Sequence, residues 1–211
     1  LKGHSDYVAV IWARDAEGNT HVLAVLPDRL QATVQTFLES IPAPLKATVT
    51  RVCIDMWEGY AGAVAAALPK ARIVVDRFHV AMQYRAAFDN LRQAECQRIN
   101  AARPPERAVP TAELRPLLRR EWPSLNRDQQ GRVVELFELT PTLASAYVLR
   151  TLLTAIFDHS PDRTTAQTRL QLWTEQVEAS GLSCFDKFIN ILHNWQDEIL
   201  NYFDGRQTSG F

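Results

Sequence analysis

Cysteine is scarce in this chain of 211 residues, and its three cysteines form no recognisable pattern. Cys53, Cys96 and Cys184 are far apart and odd in number, so they predict neither a disulfide framework nor a zinc site. We therefore expect the protein to work in a reducing cytosol.

Long hydrophobic runs are also lacking. No apolar run approaches the roughly 20 residues that span a bilayer, and residues 1–4 lack the apolar segment of a signal peptide. No membrane partner is expected. Because the chain has no initiator methionine and stops abruptly at Phe211, we interpret it as a piece of a longer protein.

Lysine is rare, with 4 lysines against 19 arginines, and the formal net charge is only −1. The basic residues are nevertheless unevenly distributed, because residues 76–132 hold 11 arginines against 7 acids. That segment is suited to a phosphate backbone. A solvated, arginine-rich helix face explains it equally well.

The chain has no glycine-rich phosphate loop, GxSxG elbow or HExxH helix. It does have two short apolar stretches that end in Asp55 and Asp76, with an alanine-rich segment between them. This order predicts a βαβ unit in which two parallel strands deliver carboxylates to one sheet edge. Two carboxylates there indicate a divalent cation and phosphoryl-transfer chemistry.

The wider pattern predicts an α/β fold followed by an all-helical region. An antiparallel hairpin beside parallel strands is expected in the first half, with strands over 7–12, 20–26, 48–55 and 71–76 and helices after 28 and over 58–68 and 77–102. Helices are predicted over 111–121, 126–139, 141–157, 162–180 and 184–203. The corresponding domains are 1–103 and 104–211.

Each candidate site residue also has a plain structural interpretation. Asp55 and Asp76 each end a strand before a helix, so either can cap that helix. His79 lies one turn beyond Asp76 and can share its face, although a lone histidine is more often a core or capping group. Trp57 and Tyr60 are interpreted as packing residues, with base stacking as the alternative.

Several blocks of the sequence occur in an order typical of one family. The chain resembles the bacterial insertion-sequence transposases of the ISL-three family, a DDE transposase group with an RNase H-like catalytic core. The blocks are residues 2–7, 52–56, 68–71, 76–80, 199–203 and 208–211, together with Tyr60.

The resemblance implies cleavage and transfer of DNA strands with two Mg²⁺ (or Mn²⁺) ions held between three carboxylates. The second acid of that triad matches Asp55, which would be a metal ligand. Asp76 and His79 match an Asp-x-x-His element beside the active site, so the resemblance makes them candidate catalytic residues together with Asp55. Residues 104–205 resemble the helical insertion before the last acid. The implied partners are transposon ends, target DNA and a second copy of the protein, in the bacterial cytoplasm and associated with the nucleoid.

The family's first acid would precede Leu1 and its final glutamate would follow Phe211, so we expect this chain to be inactive alone. The alternatives are another RNase H-like nuclease, such as a resolvase or exonuclease, and a non-catalytic DNA-binding or oligomerising fragment.

Overall fold

The computed structural model describes residues 7–104, 108–206 and 208. The chain forms two compact units, one comprising Leu1–His79 with Asp197–Phe211 and the other Val80–Gln196. Residues 2–6 and 209–211, which carry part of the family resemblance, lie outside the described residues. The predicted assignment of 1–103 as a catalytic core and 104–211 as an insertion stays a prediction.

The first unit begins with an antiparallel hairpin of β1 (Ala9–Arg14) and β2 (Thr20–Leu26). β2 was predicted correctly, whereas β1 lies two residues later than expected. Gly18 has a φ of 90° in the turn, a backbone conformation that favours glycine. The turn is fixed further by Asp15, whose carboxylate accepts a hydrogen bond of 2.8 Å from the Asn19 backbone N–H.

A parallel pair of strands follows, formed by β3 (Arg51–Ile54) and β4 (Arg72–Val75). Helix α3 (Glu58–Ala67) connects them, as the βαβ pattern predicted. The hairpin and the parallel pair are hydrogen-bonded as two separate two-stranded sheets. The mixed α/β class is confirmed, and the arrangement is consistent with an RNase H-like core.

Helix α1 (Gln31–Ser40) packs against α3 through a small apolar core. The buried members of that core are Ala9, Val34, Leu38, Ala63, Val64 and Leu68. The Asp28 carboxylate accepts a hydrogen bond of 2.9 Å from the Leu30 N–H and so shapes the turn before the helix. A short helix α2 (Ala43–Lys46) follows α1. It was not predicted, because the prolines at 42 and 44 indicated the end of a helix.

The segment after residue 196 returns to the first unit. The helix predicted over 184–203 is instead divided into a 3₁₀ turn (Ser183–Phe185), α9 (Asp186–Asn194), α10 (Gln196–Leu200) and a second 3₁₀ turn (Asn201–Asp204). The last turn lies against β4, because the Asn201 side chain donates to the Ile73 carbonyl and Arg72 pairs with Asp204 at 3.1 Å.

The second unit is all-helical. Its elements are α4 (Arg77–Ala101, whose first turn contains the unit boundary), α5 (Thr111–Arg119), a 3₁₀ turn (Trp122–Ser124), α6 (Arg127–Leu139), α7 (Pro141–His159), α8 (Arg163–Ser180) and α9. Large apolar side chains fill its core, among them Phe88, Leu143, Phe157, Trp173 and Phe188.

Local signals set several of these helix ends. Asn126 forms a capping box with Gln129, and Thr140 accepts from the Leu143 N–H, as their positions predicted. Gly181 ends α8 at a φ of 68°. Helix α8 begins at Arg163, one residue later than predicted, because Asp162 is its N-cap and the Asp162 carboxylate accepts from the Thr165 N–H. Within the described residues, no helix is both long enough and apolar enough to cross a membrane.

Candidate active site at the ends of strands β3 and β4

Asp55 and Asp76 occupy equivalent positions at the end of the parallel ladder. Ile54 is paired with Val75, and the Asp76 N–H donates to the Ile54 carbonyl at 2.9 Å. Each aspartate is therefore the next residue after its strand, at the carboxyl edge where α/β proteins build sites. The βαβ pattern predicted this placement of both residues.

The Asp55 carboxyl is half-buried, and its Oδ1 atom has no hydrogen-bond partner among the described residues. Burial raises the pKa of Asp55, and the neighbouring charges of His79 and Arg29 oppose that rise. A buried oxygen without a donor is costly, and native structures generally avoid it. Capping of α3 does not use this oxygen, so a cap does not account for it.

Asp76 differs from Asp55, because it is almost completely buried and one of its oxygens is engaged with the backbone. Its Oδ1 accepts a hydrogen bond of 2.8 Å from the Phe78 N–H, and its carbonyl accepts one of 3.0 Å from the His79 N–H. These bonds fix the first turn of α4, where the helix has free N–H groups. The capping interpretation of Asp76 is thus correct for one carboxylate oxygen.

His79 lies close to the Asp76 carboxylate, and its charge also acts on the Asp55 carboxyl. Its Nδ1 is 3.6 Å from Asp76 Oδ2, an ion-pair distance if the imidazole is protonated, and too long for a hydrogen bond. Nδ1 is buried and has no hydrogen-bond partner in the described part of the chain. The ring packs edge-on against Phe78, with centroids 5.7 Å apart. The structure thus brings His79 close to Asp76 and within electrostatic range of Asp55.

One residue that the sequence did not single out, Arg29, belongs to the same region. Arg29, in the turn between β2 and α1, lowers the pKa of both Asp55 and Tyr60 against the effect of burial. Its guanidinium lies over the rings of Tyr7 and Trp57. A lone arginine after Asp28 has no distinguishing pattern, so only the fold could reveal it.

Cys53 precedes the site on β3, and burial together with the Asp76 charge raises its pKa to about 12. Its thiol therefore stays protonated at neutral pH, and a cysteine nucleophile is not supported.

A divalent cation such as Mg²⁺ needs several oxygen ligands around it. Magnesium prefers carboxylate oxygens, and the unpartnered Oδ1 of Asp55 suits it. In the described ranges, however, no group of three or more histidine, cysteine, aspartate or glutamate side chains is placed to hold a metal ion. The described residues thus fit one ligand of a metal site.

Comparison with known proteins identifies the family of the chain. A family model described as "Transposase", that of the ISL-three (ISL3) group, matches residues 1–211. The chain belongs to this family of transposases.

A curated relative, the "Transposase for insertion sequence element IS1001" of Bordetella parapertussis, is 31% identical over 200 residues. The match covers 94% of this chain and 48% of the relative, so the chain spans about half the length of that protein. No solved structure matches.

Proposed function

We propose that this chain is part of the catalytic core of a DDE transposase, which cleaves DNA and transfers DNA strands at the ends of an insertion sequence. Membership of the transposase family supports the reaction class. The main support for placing the active site here is the Asp55 carboxyl. Its Oδ1 is buried at the end of a parallel strand and has no hydrogen-bond partner among the described residues.

Asp55 is the proposed metal ligand. Its raised pKa reflects a carboxylate that has lost water without gaining a donor, and a cation would compensate that loss. Asp55 would hold Mg²⁺ or Mn²⁺ as one of several ligands, and the ion would supply activation of the attacking hydroxyl and stabilisation of the leaving oxygen of a phosphodiester. Since the described residues fit one ligand, we infer that residues outside them supply the others, and that the 211-residue chain does not cleave DNA alone.

Asp76 and His79 have proposed positioning roles. Asp76 holds the first turn of α4 through the Phe78 N–H, and that turn carries His79. The imidazole in turn influences Asp55 electrostatically. We infer that Asp76 keeps the imidazole beside the Asp55 carboxyl, where it orients the reacting groups.

The proposed partners are transposon ends and target DNA, bound by a homodimer in the bacterial cytoplasm and close to the nucleoid. The name of the Bordetella relative supports the insertion-sequence substrate. The two alternatives differ in their products. A resolvase or exonuclease cuts DNA without joining it to a target, and a non-catalytic fragment binds without cutting.

The experiment uses the product of the complete reading frame that encodes residues 1–211, with a plasmid carrying the two ends of its element. With Mg²⁺ or Mn²⁺, cleavage at the ends and joining to a target are expected. Asp55→Ala and Asp55→Asn should abolish both steps without loss of fold or DNA binding. Glu58→Gln, an exposed acid in the first turn of α3, is the matched control and should cut normally.

Normal cutting by Asp55→Ala would show that the site is wrongly assigned. Cleavage without joining would favour the nuclease alternative, and binding without cleavage in either metal would favour the non-catalytic one.

A further inference from the structure

The guanidinium of Arg29 lies over two aromatic rings near Asp55. Its central carbon lies 4.0 Å from the centroid of the Tyr7 ring and 4.8 Å from that of the Trp57 ring. Both rings are substantially exposed, at 45% for Tyr7 and 39% for Trp57. The negative face of an aromatic ring attracts a guanidinium without acting as a conventional hydrogen-bond acceptor, so this attraction does not require the five N–H donors of the arginine.

Those N–H groups have no carboxylate partner within the described part of the chain. Several other arginines do: Arg98 pairs with Glu95 at 2.7 Å, and Arg72 pairs with Asp204 at 3.1 Å. The acid next to Arg29 is engaged elsewhere, because Asp28 accepts from the Leu30 N–H at 2.9 Å. The rings therefore orient Arg29 while its donors keep their full capacity for an anion.

We propose that Arg29 binds a phosphate oxygen of the nucleic acid substrate beside Asp55, with Tyr7 and Trp57 as its positioning residues. This inference rests on the proposed function. Arginine in a fixed plane recognises phosphate with two parallel hydrogen bonds, which a mobile ammonium cannot reproduce. A carboxylate by itself repels the phosphodiester that it must approach, and the positive charge of Arg29 offsets that repulsion.

Gly59 leaves the space that the Trp57 indole occupies. A Cβ atom built on Gly59 would come 2.5 Å from Nε1 of Trp57, which is closer than side chains approach. The glycine therefore leaves room for the indole above the first turn of α3. Gly59→Ala displaces the ring without deleting it, so this substitution loosens Arg29 while its charge remains.

The test measures the affinity of residues 1–211 for a short labelled DNA duplex, without metal, over a range of NaCl concentrations. Arg29→Gln should weaken binding about tenfold, because a charged hydrogen bond is lost. It should also reduce the slope of log K against log[NaCl] by about 0.9, the value for one lost phosphate contact. Arg29→Lys should retain the slope and recover part of the affinity. Gly59→Ala should weaken binding by less than Arg29→Gln and leave the slope unchanged.

The matched control is Arg14→Gln in the hairpin. Arg14 also lies over a tryptophan, 5.7 Å from the Trp12 ring centroid, but it does not affect the pKa of Asp55. This variant should bind DNA as the wild type does. Circular dichroism confirms that each variant is folded.

Three results would overturn the inference: an unchanged slope for Arg29→Gln, an equal loss of affinity for Arg14→Gln, or no duplex binding by the folded wild type at low salt. If Arg29→Gln leaves the DNA affinity unchanged and raises the pKa of Asp55, then Arg29 serves only as an internal counter-charge, and the inference is likewise wrong. Because the assay has no metal and no cleavage step, its failure is distinct from failure of the Asp55 assignment, which the cleavage assay measures.

Discussion

The side-chain amide of Asn201 donates a hydrogen bond of 2.8 Å to the backbone carbonyl of Ile73, although 128 residues separate them in sequence. Ile73 lies in β4, the strand that leads directly to Asp76. The neighbouring Arg72 is anchored by Asp204 of the same returning segment. The all-helical unit is thus inserted in sequence between the β4 region and a later segment that completes the α/β unit. β4, which carries Asp76, is stabilised by residues from the far end of the chain.

Asn201→Ala removes the donor and leaves the Ile73 carbonyl without its partner. We expect the free energy of unfolding of the α/β unit to fall by about 1–2 kcal/mol. Amide hydrogen exchange should then be faster in peptides covering residues 72–76 and unchanged in those covering α6–α8. Asn194→Ala, at the exposed end of α9, is the control and should alter neither. Unchanged protection of β4 in the Asn201 variant would contradict the anchoring role.

The sequence was sufficient where a short pattern determines the local structure. Two apolar runs that end in aspartate predicted β3, β4 and the shared edge of Asp55 and Asp76. The positions of Asn126 and Thr140 predicted helix starts, because a capping side chain bonds to a backbone N–H only three residues away. Those interactions are local, and so they can be read from the residues themselves.

The rest depends on contacts between distant residues. Nothing near Asn201 indicates that it binds β4, and nothing near Arg29 indicates that its guanidinium lies over the rings of Tyr7 and Trp57. The helix predicted over 184–203 is broken at Trp195, which is buried, so tertiary packing outweighed a continuous helical pattern there. The free Oδ1 of Asp55 is likewise a property of the folded surroundings alone.

Arg150 is a buried arginine that binds the end of another helix. Its side chain donates to the carbonyls of Leu118, at 2.5 Å, and Arg120, and it lies over the rings of Phe88 and Tyr147. Arg150→Met keeps much of the apolar volume and removes the side-chain donor of the Leu118 carbonyl, whereas the Arg120 carbonyl still accepts from the Tyr147 hydroxyl. We expect a loss of about 2–3 kcal/mol in the stability of the helical unit, measured by urea denaturation.

Arg132→Met is the control for Arg150→Met. Arg132 pairs with Glu113 at the surface, and exposed pairs contribute about 0–1 kcal/mol. Equal losses for the two arginine variants would show that burial does not set the contribution of Arg150.

Asp76 offers a comparison of two substitutions at one position. Asp76→Asn keeps an oxygen that can accept from the Phe78 N–H, whereas Asp76→Ala does not. We expect Asp76→Ala to lower the free energy of unfolding by about 1 kcal/mol more than Asp76→Asn does, the usual contribution of a capping side chain. Thermal unfolding at neutral pH provides the measurement. Equal stabilities would show that the hydrogen bond to Phe78 does not hold the first turn of α4.

Asp55 should reduce stability at neutral pH, as expected of a carboxylate placed for function. Because burial raises its pKa in the folded state, folding opposes ionisation of this carboxyl. Below the ordinary value of 3.8 the group is protonated in both states and has no such effect. As pH rises through the raised pKa of the folded state, the cost develops fully and then stays constant.

Asp55→Asn should therefore stabilise the chain near pH 7 and have no effect near pH 3. The gain should be at most about 1 kcal/mol, since water screens a half-buried carboxylate. Melting temperatures at the two pH values measure it. Glu135→Gln, on the exposed surface of α6, serves as the control and should show no such pH dependence. A loss of stability in Asp55→Asn at neutral pH would mean that the carboxylate is satisfied within the fold, which would remove the basis for a free metal-binding oxygen.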